Sequence, residues 1–566
     1  MTSSKVKQRN VVIYILLIVF IFLIRVIFFA ANFGGVEHDS GWYLGVAKNL
    51  AQRGIYASYT NTIAEEAPGA YPSLHGRFSV QDSNGFSYFP AGVTVGPGYV
   101  FPEALLLKIF GNGWWQYRLW PLIAFTGLLF ILFFLVWKLG GVMSLVIFQL
   151  WLWSVPQLYT AYAYESYSEH IALFYLLISF IFYYFSTYKN KIYYIVFSGL
   201  FLSFSILTKN LFFLPGISFA IPLVWELITH KYKLKILLIR WGLFIVSFLV
   251  PIVLFEGYRF IFLTSHFGYS SWQAINQDIQ LVFKSGGSGI SNFSFSSLDW
   301  NFVFKKTMIW IDVGIENVFI LWLFFLTLPL LIVKLVNKNY RILILALYAA
   351  SVISFGWFIF ISTYGWARHV WQGLVLGMML VSIGFGTIFK KLLLKWKKEQ
   401  LLLAILFFMF ILSLIRYENI IFKPILNEAT IEKWRINSNM RGLQGFPSNP
   451  VLSPSDQKDL VDFFRHNIRN NDRVYYLGWF IMAEASPLVD KVFYSLNRYF
   501  YLDQKNPDGG ESYAITGPYQ QGPWSFEPPG YVQNKASELC KKIVYANPSY
   551  LLCILRTGLT YNNPAY

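Results

Sequence analysis

The sequence predicts an α-helical polytopic membrane protein, with about 11 transmembrane helices and a small extracytoplasmic α/β domain at its C-terminal end. Three observations carry that prediction. The 566 residues are 56% hydrophobic and 20% aromatic but only 13% charged. That is more apolar surface than one soluble core can absorb, because such cores stop growing beyond roughly 250–300 residues. Apolar stretches of the length a helix needs to cross a hydrocarbon layer, about 20 residues, recur as far as residue 416. The basic residues between them alternate regularly. Low charge with high aromatic content excludes a disordered chain. Only 2 Cys in a chain this long exclude a disulfide scaffold.

The candidate spans are 11–31, 119–137, 141–159, 170–187, 192–209, 211–229, 236–255, 317–333, 342–362, 370–389 and 400–416. The first is too long for the apolar core of a cleaved signal, and no small-residue cleavage site follows it cleanly. Lys5, Lys7 and Arg9 precede span 1, and Lys138 follows span 2. Lys189 and Lys191 follow span 4; Lys231, Lys233, Lys235 and Arg240 follow span 6. Lys334, Lys338 and Arg341 follow span 8, and Lys390, Lys391, Lys395, Lys397 and Lys398 follow span 10. All fall on one side if the N-terminus is cytoplasmic. The net charge of +17 then records topology, and no nucleic-acid partner is expected.

The other side carries the polar mass: a first loop over 32–118, a second over 256–316, and the segment 417–566. These divide the chain into a transmembrane domain, 1–416, and an extracytoplasmic α/β domain, 417–566. In the first loop, His38–Arg53 reads as an amphipathic helix, with Trp42, Val46 and Leu50 on one face and Lys48 and Gln52 elsewhere. Tyr59–Val95 is rich in Gly, Pro, Ser and Asn and reads as irregular. Tyr99–Phe110 is apolar but too short to span, which suits a helix in the interface plane. In the last segment, Gln457–Arg469 and Lys535–Tyr545 read as helices, and Arg473–Trp479, Val489–Ser495 and Ser549–Leu555 as strands. Cys540 and Cys553 lie there, either bridged, as an oxidising compartment permits, or as two buried thiols.

Charged residues at the outer membrane rim are the candidates for chemistry. Glu37, His38 and Asp39 follow span 1 directly; Asp39 is either a functional acid or a helix cap worth about 1 kcal/mol. Glu165 and Glu169 flank the tight turn between spans 3 and 4, as acids of a polar cavity or as solvated loop residues. Lys209, Arg118, Arg368 and His369 lie at the same rim, against the basic-inside pattern, and Arg25 lies within span 1. Charges at such depth face a partner or an aqueous cavity, unless a long stem carries the head to the interface, the alternative for Arg25 and Arg118. A carboxylate can deprotonate a hydroxyl nucleophile, and cations can stabilise charge developing on a phosphate leaving group. No His/Cys cluster has zinc spacing, and no Gly-rich phosphate-binding motif is present.

Four stretches, in order, resemble the GT-C glycosyltransferases. The nearest type is the dolichyl-phosphate-mannose–protein mannosyltransferase-like (family 39-like) group, with the lipid A aminoarabinose transferases. The first stretch is a span with Arg25 followed by His38–Ala47, similar to Asp-Glu-x-x-Tyr-x-x-x-Ala. The second is Gly96-Pro97-Gly98-Tyr99 with Leu107–Gly111, and Arg118 before span 2. The third is Gly199-Leu200 with Thr208-Lys209-Asn210. The fourth is Arg368-His369 before a late span. They cover about residues 11–390.

The resemblance implies a membrane glycosyltransferase that moves a sugar from a polyprenyl-phosphate donor to an acceptor hydroxyl on a lipid, polysaccharide or protein. Transfer would occur at the outer face of a prokaryotic plasma membrane, with inversion. Asp39 would be the general base. Glu169 and Glu165 would shape the acceptor site or hold a cation. Lys209 and Arg368 would meet the donor phosphate, with Arg118 and His369 as second choices. Ser40 stands where the family often has a second acid, which leaves a divalent cation as an open possibility. The alternatives from other classes are a lipid-linked oligosaccharide ligase or polymerase, and a polytopic transporter.

Overall fold

The structure, a computed structural model, describes residues 2–33, 35–36, 38–59, 80–89, 95–154, 159–164, 167–189, 191–229, 232–285, 300–301, 303, 340–362, 367–393, 454–476, 485–495, 506, 508–516 and 540–556. The side chains of His38, Asp39 and Arg368 lie outside that description, as do Glu37 and Glu165 entirely.

The chain begins with α1 (Thr2–Phe33) and α2 (His38–Arg53), then three short strands, β1 (Ala57–Ser58), β2 (Val80–Gln81) and β3 (Ser87–Tyr88), in the order β1-β3-β2. Next come α3 (Pro97–Phe110), α4 (Leu119–Gly140), α5 (Val142–Ser154), α6 (Thr160–Tyr164), α7 (Ser168–Lys189) and α8 (Tyr193–Thr208). After α9 (Phe213–Gly216) and α10 (Ala220–Ile228) follow α11 (Leu234–Phe267), α12 (Tyr269–Ser285), α13 (Arg341–Gly356) and α14 (Trp371–Leu393). Outside the bundle lie α15 (Pro454–Asn467) and strands β4 (Arg473–Tyr476), β5 (Phe493–Ser495), β6 (Ser512–Thr516), β7 (Cys540–Ala546) and β8 (Leu551–Leu555).

Nine of the eleven expected spans fall on described residues, apart from 155–158 of the span 141–159, and each is helical over most of its described part. Gln8–Ala31, Gln116–Gly140, Ser168–Lys189, Asn210–Ile228, Leu234–Phe267 and Arg341–Ile361 are long and apolar enough to cross a membrane; Val142–Trp153, Tyr193–Thr208 and Trp371–Thr387 are shorter apolar helices. The expected spans 317–333 and 400–416 lie outside the described residues. Asn210–Ile228 is broken into α- and 3₁₀-turns around Pro215 and Pro222, because proline removes a backbone donor and crowds the preceding turn. The span Arg341–Ile361 ends in a π-turn, Trp357–Ile361, a feature frequent at functional sites.

The second outer segment departs from expectation. Residues 256–267 do not open a loop; they continue α11, whose 34 residues make a rod of about 51 Å, well beyond the roughly 30 Å of a hydrocarbon core. Leu254 and Ile261 stay exposed along it. Its far end is tied locally, Arg259 pairing with Glu256 at 2.6 Å and donating to Asn276 of α12 at 2.6 Å.

The C-terminal sheet has the order β5-β4-β6-β8-β7, parallel across β5-β4-β6 and antiparallel across β6-β8-β7. The helix expected over Lys535–Tyr545 is absent from its described part: Cys540–Ala546 is an edge strand. Ile543, Val544 and Tyr545 are strand formers, and pairing with β8 overrides a helical period read from a short window. Cys540 and Cys553 are bridged across this pair, with Cα atoms 5.6 Å apart. The strand Ser512–Thr516 was not among the strands expected from the sequence, yet it joins the parallel and antiparallel halves.

The sheet does not pack as a separate body. One apolar core combines Val36, Trp42 and Val46 beside α2, Tyr99 and Leu107 of α3, and Leu460, Val474, Ile515 and Leu552 of the C-terminal segment. Polar contacts hold α2 at both ends. Gln457 of α15, fully buried, exchanges hydrogen bonds with the Val36 backbone at 2.7 and 2.9 Å. Near the other end, Lys48 donates to the Pro487 carbonyl at 2.8 Å, and Asp490 meets Arg53 at 3.1 Å and the Tyr59 hydroxyl at 2.5 Å. Asp490 takes a left-handed backbone conformation, φ 57°, costly outside glycine. Lys48, expected away from the buried face, lies under these segments; burial pushes its pKa down, and Asp490 draws it back up.

Candidate active site

The site is assembled by close backbone approach. Gly96 and Gly98 sit against the last turn of α8: a Cβ on Gly96 would strike the Leu207 carbonyl, and one on Gly98 the Thr208 hydroxyl and the Phe204 carbonyl. Glycine is therefore required at both positions. The start of α3 is thereby seated on the end of α8, where Lys209 forms the C-cap in extended conformation. Tyr175 of α7 donates to the Gly98 carbonyl at 3.4 Å and closes the triangle α3–α7–α8.

Lys209 forms an ion pair with Glu169 in the first turn of α7. The Glu169 side chain is 1% exposed and that of Lys209 19%, so the carboxylate is enclosed while the lysine keeps part of its side chain exposed. Next to Glu169, Ser168 accepts a hydrogen bond from the Tyr43 hydroxyl of α2 at 3.0 Å, and the Tyr43 ring meets Tyr99 of α3 edge-on at 5.0 Å. Asp39 lies four residues before Tyr43, hence on the same face of α2 one turn nearer its start. Since α2 begins at His38, Asp39 falls inside the first turn. Glu37 and Glu165 are outside the described residues, as is the Arg368 side chain.

The remaining cations take separate places. Arg118, just before α4, is 2% exposed, donates to the Trp114 carbonyl at 2.9 Å and lies over the Trp114 ring at 4.3 Å. It is not a snorkelling stem. Nor is Arg25, 3% exposed, which donates to the Tyr159 hydroxyl at 2.9 Å and stacks over Trp153 at 4.2 Å. These contacts satisfy a charge that would otherwise be expensive at this depth. His369 sits in the 3₁₀ turn before α14, with its ring 6.3 Å from Trp357 of the π-turn. No three His, Cys, Asp or Glu side chains converge as a metal-ligating group among the described residues.

Sequence reasoning had Tyr43 only as the tyrosine of a motif, with no role of its own, and missed Ser168, because a hydroxyl in an aromatic-rich outer segment gives no distinctive pattern. It also missed Glu103, a lone acid in the apolar run of α3. Glu103 is fully buried, and neither carboxyl oxygen makes a well-formed hydrogen bond. Burial pushes its pKa well above the ordinary carboxylate range, offset only in part by the Trp120 backbone. The folded chain thus keeps a proton that the unfolded chain has released above about pH 4.3. Stability from this group is complete below that pH and is lost as pH rises toward the folded value. We expect wild-type thermal midpoints in detergent to fall from the carboxylate range toward neutral pH, and Glu103→Gln to flatten that decline. Parallel slopes in the two proteins would show that Glu103 is ionised when folded.

Comparison with known proteins bears on this geometry. No family model and no curated protein matches the chain. Solved structures do. The structure of ArnT from Cupriavidus metallidurans in the apo state superposes with TM-score 0.54, 12% identity, and coverage of 96% of this chain and 97% of that one. The same protein bound to undecaprenyl phosphate gives TM-score 0.52 and 13% identity over 95% and 97%. Along nearly its whole length, from α1 through the C-terminal sheet, the chain has the fold of ArnT.

Proposed function

We propose that the protein is a membrane glycosyltransferase that moves a sugar from a polyprenyl-phosphate donor to an acceptor hydroxyl at the outer face of a prokaryotic plasma membrane. One observation carries the reading: the Tyr43–Ser168 hydrogen bond joins the start of α2 to the Glu169–Lys209 pair. A candidate base and a candidate phosphate-binding cation therefore share one end of the bundle. The likeness to ArnT, one of whose structures holds undecaprenyl phosphate, supports the same donor chemistry.

In this reading the Asp39 carboxylate takes the proton of the acceptor hydroxyl as its oxygen attacks the anomeric carbon. The bond from that carbon to the phosphate oxygen breaks on the opposite side, inverting the centre, and its electron pair stays on the leaving phosphate. Lys209 and Arg368 stabilise that charge, with Arg118 and His369 as second choices for the same role. Glu169 holds Lys209 until the donor phosphate competes for it; Glu165 borders the acceptor side. The transmembrane part, 1–416, supplies these groups, and the segment 417–566 braces α2 from outside.

The test is donor choice. Purified protein offered matched polyprenyl-monophosphate and polyprenyl-pyrophosphate donors with labelled sugars should transfer a single sugar from the monophosphate alone. Transfer of an intact oligosaccharide from the pyrophosphate would make it a ligase or polymerase. Movement of lipid-linked sugar across a vesicle without transfer would make it a transporter.

A further inference from the structure

A polar cavity is present that neither Glu169 nor Lys209 lines. It has a volume of about 830 Å³ and runs between α15 with the β4–β5 region on one side and the second half of α2 with the turn before α4 on the other. That is within the range of sites enclosing drug-sized ligands, about 300–1,000 Å³. Its carboxylates are already engaged. Asp490 holds Arg53 and Tyr59, Asp508 pairs with Arg473 at 3.1 Å, and Asp462 lies 3.6 Å from Arg465. Asp472 accepts from the backbones of Arg469 and Glu511 at 2.7 and 2.9 Å. Two lining cations, Lys458 and Arg469, have no acidic partner among the described residues. Lys458 lies 5.6 Å from the centre of the Trp114 ring, which also lines the cavity. The Trp114 indole nitrogen is buried and finds no hydrogen-bond acceptor among the described residues.

Cations with no acidic partner among the described residues, an aromatic face and the side-chain amides of Gln52, Asn84 and Asn112 are together the chemistry that holds an acidic sugar. The amides meet hydroxyls, the ring covers the apolar face of a pyranose, and the cations meet its charge. A bare anion would use the cations alone. From Asp39 to Lys48, which lines the cavity, is about 13 Å along α2.

We propose that this cleft binds an anionic oligosaccharide, the part of the acceptor distant from its reacting hydroxyl. The assignment to the acceptor rests on the glycosyltransferase reading; the binding itself does not. The acceptor would reach from the membrane rim along α2 and be selected by charge at its far end.

The test is direct binding to the full-length protein in detergent, followed by calorimetry, with tetragalacturonate, uncharged maltotetraose and inorganic pyrophosphate as probes. Tetragalacturonate is expected to bind at least tenfold tighter than either other probe, and to weaken as salt rises. Lys458→Glu with Arg469→Glu, both on exposed positions, should weaken it at least tenfold and leave binding of polyprenyl phosphate unchanged. Unaltered tetragalacturonate affinity in that double variant would overturn the site. Equal binding of maltotetraose would overturn the charge requirement, and equal binding of pyrophosphate the saccharide requirement. If the cleft binds as expected but no sugar leaves a polyprenyl-phosphate donor, the glycosyltransferase reading fails and the cleft stands.

Discussion

Asp39→Asn is expected to lower turnover by about 10²–10⁴-fold, the usual contribution of a positioned general base, with donor affinity and thermal midpoint near wild type. Asparagine is nearly the same size, stays polar in the first turn of α2, and cannot accept a proton at neutral pH. The helix around it is held by contacts that do not involve position 39: Val36 to Gln457, Tyr43 to Ser168, and Arg53 to Asp490. The effect should therefore fall on kcat. Single-turnover rates with saturating donor and acceptor measure it, and wild-type turnover in Asp39→Asn would remove Asp39 as the base. A drop in donor affinity of the same size would instead make it a donor-binding group.

Lys209→Met should produce two separable losses. Removing one member of a buried ion pair leaves the other charge without its partner, at a cost of about 3–5 kcal/mol, and Glu169 is almost wholly enclosed. The thermal midpoint should fall clearly, and affinity for polyprenyl phosphate should fall with it. Adding Glu169→Gln removes the stranded carboxylate, so the double variant should regain most of the stability. It should not regain donor affinity if Lys209 meets the phosphate. Recovery of both would show that the pair serves only to hold α7 against the end of α8.

Much of the bundle was legible because a span announces itself over many residues of one polarity, and basic loops fix the order of its ends. The outer rim stood out for a related reason: Lys209 violates that pattern, and Asp39 and Glu169 are acids set directly beside a span. What escaped depends on partners distant in sequence. Lys48 looks like a solvated position of α2 until residues 487–490 are folded over it. Cys540–Ala546 reads as helix until β8 pairs with it. The Glu169–Lys209 contact could be suspected from their shared rim, but it forms only because α7 and α8 pack along their lengths, Ser179 bonding to Ser198 and Ser205 to Ala172. The continuation of α11 past residue 256 was missed because its polar side chains are satisfied locally and the helix needs no membrane to continue.

The bracing of α2 also carries a consequence in time. Its first turn is steadied by Gln457 and its last by the stretch around Asp490, and both are translated long after the bundle helices. A nascent chain that has inserted α1 through α14 already owns the carboxylate and its cations but lacks the splints that fix their spacing. If the protein works as proposed, competence would arrive only when that last segment has folded, so that partly synthesised molecules spare the pool of activated lipid.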